Sequence, residues 1–79
     1  MTTIRFFAAA RAAVGVDDLS TTAATIDEAL REVTATDPSR WSALQERCSF
    51  LVDGVTTRDR STVLSGVAVV DVMPPFAGG

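Results

Sequence analysis

Val67-Ala68-Val69-Val70-Asp71-Val72-Met73-Pro74-Pro75-Phe76-Ala77-Gly78-Gly79 is the stretch from which the rest of the chain can be read. Its first seven residues alternate as a strand does, with Ala68, Val70 and Val72 on one face and Val67, Val69, Asp71 and Met73 on the other. Pro74 and Pro75 end the ladder, since neither has an N–H to donate, and they favour a stiff, extended exit. Phe76, Ala77, Gly78 and Gly79 complete a six-residue tail that reaches about 20 Å at full extension. Gly78 and Gly79 carry no Cβ, so they fit a channel that side chains would block. A carboxylate at Gly79, with a reference pKa of about 3.3–3.7, is inert towards nucleophiles until activated. The bland alternative is a frayed end. The prolines and the strand directly before the glycines favour a tail that is itself the reacting group.

Working back from this strand, Ser49-Phe50-Leu51-Val52 reads as a strand, Asp53-Gly54 as a hairpin turn and Val55-Thr56-Thr57 as the return. Arg58 to Gly66 is a loop holding Val63 and Leu64. Ser39 to Cys48 has Trp41, Leu44 and Cys48 at helical spacing. Thr25-Ile26-Asp27-Glu28 predicts a helix start, with Thr25 as cap and the acidic pair at the positive end of the helix dipole. Ile26, Ala29, Leu30 and Val33 supply its apolar face, and Thr34 to Pro38 weakens it. Val16 to Thr22 reads as a strand. Ala9 to Val14 reads as a short helix capped by Gly15. Thr3 to Ala8 is the first strand, with Ile4, Phe6 and Ala8 on one face and Thr3, Arg5 and Phe7 on the other. The order is strand, short helix, strand, long helix, hairpin, strand. It predicts an α+β domain over residues 1–73, an open mixed sheet around one main helix, with residues 74–79 as an extended tail.

The composition narrows the function. A chain of 79 residues supports one domain with a thin core. Hydrophobic residues make up 47%, too many for a disordered segment. There is no His, Tyr or Lys, one Cys, and all seven basic residues are Arg. The usual general base, the Schiff-base amine and the common zinc ligand sets are therefore missing, and a stand-alone enzyme is disfavoured. A net charge of −3 disfavours nucleic-acid binding. Cys48 alone forms no internal disulfide. The apolar run Phe6 to Ala10, bracketed by Arg5 and Arg11, is shorter than the roughly 7–15 residues of a secretory segment. No run approaches the roughly 20 apolar residues of a membrane helix. A cytoplasmic protein is expected.

Ile4-Arg5-Phe6-Phe7-Ala8-Ala9-Ala10-Arg11 at the start and Asp71 to Gly79 at the end resemble the MoaD/ThiS family of β-grasp, ubiquitin-like sulfur carriers, most closely the small subunits of molybdopterin synthases. Thr25-Ile26-Asp27-Glu28-Ala29-Leu30 is similar to the family's main helix, and Cys48 to Gly54 to its central hairpin. The resemblance implies that a MoeB-like, E1-like adenylating enzyme uses ATP and Mg²⁺ to form an acyl-adenylate at Gly79. A sulfur donor protein then makes the thiocarboxylate. The carrier docks on a MoaE-like large catalytic subunit, inserts Pro74, Pro75, Phe76, Ala77, Gly78 and Gly79, and passes sulfur to a cyclic pterin in molybdenum cofactor biosynthesis. No cofactor is expected on this chain. Two features depart from the pattern: Gly66 is followed by Val67-Ala68 where the family often has Asp-Glu, and Asp53 stands where Asn is common.

The same tail chemistry serves carriers of thiazole or cysteine synthesis and ubiquitin-like modifiers, and these stay open as alternatives, as does a plain interaction module. Phe7 and Met73 are expected on the sheet face away from the helix, where an apolar cluster would bind a partner or pack under a loop. Cys48 and Trp41 read as core residues rather than a redox thiol and a binding platform. Asp17, Asp18 and Asp59 read as solvated charge.

Overall fold

A computed structural model describes residues 1–75. Five strands form one mixed sheet: β1 (Thr2–Phe6), β2 (Asp18–Thr21), β3 (Ser49–Val52), β4 (Val55–Thr57) and β5 (Val69–Met73), in spatial order β2-β1-β5-β3-β4. Only β1 and β5 run parallel; the β1–β2, β3–β4 and β3–β5 pairs are antiparallel. Among the described residues three helices, α1 (Ala8–Val14), α2 (Ile26–Arg31) and α3 (Pro38–Gln45), accompany the sheet. This is the expected β-grasp α+β architecture.

Alternation fixes the inner face. Ile4, Phe6, Phe50, Val70 and Val72 are buried, and the helices meet them with Ala10, Ala13, Val14, Ile26, Ala29, Leu30 and Trp41. Phe6 and Trp41 pack edge to face with centroids 5.7 Å apart, a favoured aromatic geometry. Trp41 Nε1 is buried without a hydrogen-bond partner among the described residues.

Local chemistry sets the boundaries. Thr25 Oγ1 accepts from the Glu28 N–H at 3.2 Å, and the Glu28 carboxylate reaches back to the Ala24 N–H at 3.1 Å, a variant of the capping box. The expected long helix is instead two. Pro38 disfavours helical backbone at Asp37, and Asp37 caps a new helix by accepting from the Arg40 N–H. Cys48 therefore lies beyond the end of α3, yet is buried. The first strand also stops earlier than expected. Phe7 stays extended and caps α1, while Ala8 enters the helix at φ +49° rather than continuing the inner face. Val16 lies outside β2 and is exposed, and Ala68 lies outside β5 and is exposed.

Candidate functional site: the open sheet face and the exit of β5

Parallel pairing of β1 and β5 brings their C-terminal ends to the same edge of the molecule. The register runs Ile4↔Val70, Arg5↔Asp71, Phe6↔Val72. One residue further along each strand stand Phe7 and Met73, and the Phe7 N–H donates to the Val72 carbonyl at 3.3 Å. The chain leaves the sheet there: Pro74 is buried and Pro75 exposed. Phe76, Ala77, Gly78 and Gly79, the other expected tail residues, lie outside the described residues.

The helices cover one face of the sheet, and the register defines the other. Across its middle runs a row of one residue per strand: Asp18, Arg5, Asp71, Leu51 and Thr56. Met73 and Ser49 pair in the row nearer the β5 exit, and Ser20, Thr3 and Val69 lie on the opposite side. Phe7, Leu51, Val69 and Met73 are each half-buried. The expectation of an apolar cluster at Phe7 and Met73 thus extends to Leu51 and Val69. These two were legible in the alternation of their own strands, and only the strand order gathers all four on one face.

Within this apolar surface sits an ion pair absent from the sequence reading. Arg5 donates from Nε and Nη2 to the two oxygens of Asp71 at 2.6 and 2.9 Å, the two-pronged geometry that suits a guanidinium and a carboxylate. Its guanidinium carbon lies 5.7 Å from the Phe7 ring centroid, within cation–π range. The Asp71 bond and charge, with a smaller contribution from Asp18, raise the Arg5 pKa above its ordinary value.

Asp53, expected in the hairpin turn, also makes contacts that the turn signal did not announce. It takes φ +47° in the hairpin turn and Gly54 takes φ +89°, as a two-residue turn of this twist requires. Its carboxylate accepts from the N–H groups of Ala68 and Val69 at 3.1 and 2.9 Å, and its own N–H donates to the Val69 carbonyl at 2.9 Å. The turn thereby sets where β5 begins.

Cys48 is not placed to do redox work. Burial pushes its thiol up to about 11, with Arg58 and Arg60 pulling weakly the other way; a thiol this reluctant to ionise is a poor nucleophile. Asp59 is exposed, and the Ser61 hydroxyl and N–H hold its carboxyl below its usual value. Among the described residues no helix is long and apolar enough to cross a membrane.

Comparison with protein families matches residues 4–79 to the ThiS family. The chain belongs to the ThiS family. No curated protein matches it closely enough to count as a relative. As a ThiS-family protein it is a sulfur carrier with a ubiquitin-like fold. Sulfur carriers of the ThiS family work with an E1-like adenylating enzyme and a catalytic partner.

Proposed function

We propose that this ThiS-family protein is the sulfur carrier subunit of a molybdopterin synthase, with Gly79 as the group that carries sulfur. The supporting observation is the placement of Phe7 and Met73 on the open sheet face, at the edge where β5 hands the chain to Pro74-Pro75. A partner gripping that face is positioned to receive the tail. Pro-Pro-Phe before the glycines favours the molybdopterin role over the thiazole and cysteine pathways.

The chemistry runs in two displacements. The Gly79 carboxylate attacks the α-phosphorus of ATP, held with Mg²⁺ by the adenylating enzyme, and pyrophosphate leaves. Hydrosulfide released by the donor protein then attacks the acyl carbon and AMP leaves with one carboxylate oxygen, so that oxygen is replaced by sulfur. In the large subunit the thiocarboxylate sulfur attacks a pterin carbon and displaces an oxygen substituent from it; water then cleaves the acyl–sulfur bond, which leaves the sulfur on the pterin and returns Gly79 to a carboxylate. This chain contributes the sulfur atom, the slim tail and the grip, and its partners contribute the bases it lacks.

The test is intact-mass measurement after incubation with the adenylating enzyme, ATP and a sulfide source. Exchange of one oxygen for sulfur is expected, and loss of that exchange on deleting Gly79. An unchanged mass with a demonstrably active enzyme overturns the carrier mechanism. Adding the large subunit and the cyclic pterin precursor should discharge the sulfur. A thiolated carrier that never discharges there belongs to another sulfur-transfer pathway.

A further inference from the structure

The open face of the sheet is apolar at Phe7, Leu51, Val69 and Met73, yet its middle row is charged on three adjacent strands. Asp18, Arg5 and Asp71 stand side by side on β2, β1 and β5. Ion pairs this exposed hold little stability on their own. The Arg5 side chain is 50% exposed, whereas that of Asp71 is 17% exposed, so the cation is the member of the pair that meets an incoming surface. A guanidinium carries five N–H donors. Arg5 spends two on Asp71, and the other three have no protein partner among the described residues. Asp71 and the Phe7 ring fix its position from two sides.

We propose that Arg5 is a specificity-determining residue of this docking face, admitting an adenylating enzyme that presents neutral oxygen acceptors, backbone carbonyl or side-chain amide, above the Asp18–Arg5–Asp71 row. The inference rests on the docking reading given above and adds what the partner must carry. An apolar surface closing over Arg5 strips water from three donors and returns nothing, a penalty that grows when the group is charged. A neutral oxygen restores the lost bonds as charge-assisted ones. A carboxylate on the partner is disfavoured, because the row already sums to −1 and Asp18 stands beside Arg5.

The experiment measures ATP–pyrophosphate exchange by the adenylating enzyme of the same organism, with the full-length carrier as the varied substrate. Arg5→Leu/Asp71→Leu removes both charges together, so neither is left unpaired. The expected result is a rise in KM of about tenfold with kcat unchanged, while Arg5→Lys, which keeps the charge but loses the planar fork, falls between. Phe7→Asp serves as the control for the face itself and should also raise KM. A double-variant KM equal to or below that of the parent, with KM raised by Phe7→Asp, overturns the role of Arg5 and leaves the docking face standing. KM unmoved in both overturns the docking reading as well. A fall in kcat at constant KM also overturns the proposal, since a docking residue acts on binding. If the double variant melts below the assay temperature, Arg5→Gln supplies the same readout.

Discussion

Asp53 shows how one side chain can hold two distant segments in register. Its backbone makes the left-handed turn of the hairpin, and its carboxylate anchors the start of β5 fifteen and sixteen residues away. Asp and Asn both tolerate that backbone conformation, and a single amide oxygen can accept from both N–H groups. Asp53→Asn should therefore cost less than about 0.5 kcal/mol, whereas Asp53→Ala, which leaves two donors unanswered in a strained turn, should cost about 1–2 kcal/mol. Urea denaturation of the two variants distinguishes these outcomes. In the sequence, Asp53-Gly54 announced the turn, but the bond to Ala68 and Val69 was not legible, because it depends on β3 lying beside β5.

At the scale of elements, the helices are short, of seven, six and eight residues, and helices of that length do not persist without caps and packing. Gly15 ends α1 at φ +94°, with its N–H donating to the Arg11 carbonyl at 2.8 Å. An added Cβ would meet Thr36 Oγ1, the hydroxyl that itself donates to the Val14 carbonyl at 3.1 Å. Gly15→Ala therefore combines a disfavoured backbone with a displaced hydrogen bond. It should cost about 2 kcal/mol or more, against about 1 kcal/mol for loss of the cap in Thr25→Ala. Thermal melts that rank the two in the opposite order would contradict this account. Both caps were legible from local residue types. The break between α2 and α3 was legible only as a weakening at Thr34 to Pro38, because whether a helix restarts depends on what its apolar face can reach, here the Phe6 ring beneath Trp41.

At the scale of the molecule, one face of the sheet is buried in the core and the other is the face proposed above for docking. The buried face also carries a pH dependence. The Cys48 thiol ionises near 9 in an unfolded chain and near 11 in the folded one, so the unfolded state gives up its proton first. Its contribution is complete below about pH 8.5, falls as pH rises, and is lost by about pH 11, a span on the order of 2 kcal/mol. Denaturation midpoints measured across that range should decline, and the decline should be shallower in Cys48→Ala. An equally steep decline in both proteins would remove Cys48 as its source. By itself the sequence determined the central residues of the strands, the Thr25 and Gly15 caps, the Asp53-Gly54 turn and the poverty of catalytic groups, because each is set by residue type and spacing along a few consecutive positions, while the strand ends at Ala8, Val16 and Ala68 were not so determined. Only the tertiary structure decided that β1 and β5 run parallel, that Phe7, Leu51, Val69 and Met73 share a face, and that Arg5 meets Asp71 in the midst of it. Those relations join residues as many as 66 positions apart, and long-range pairing is settled by burial and register across the whole sheet rather than by local preference.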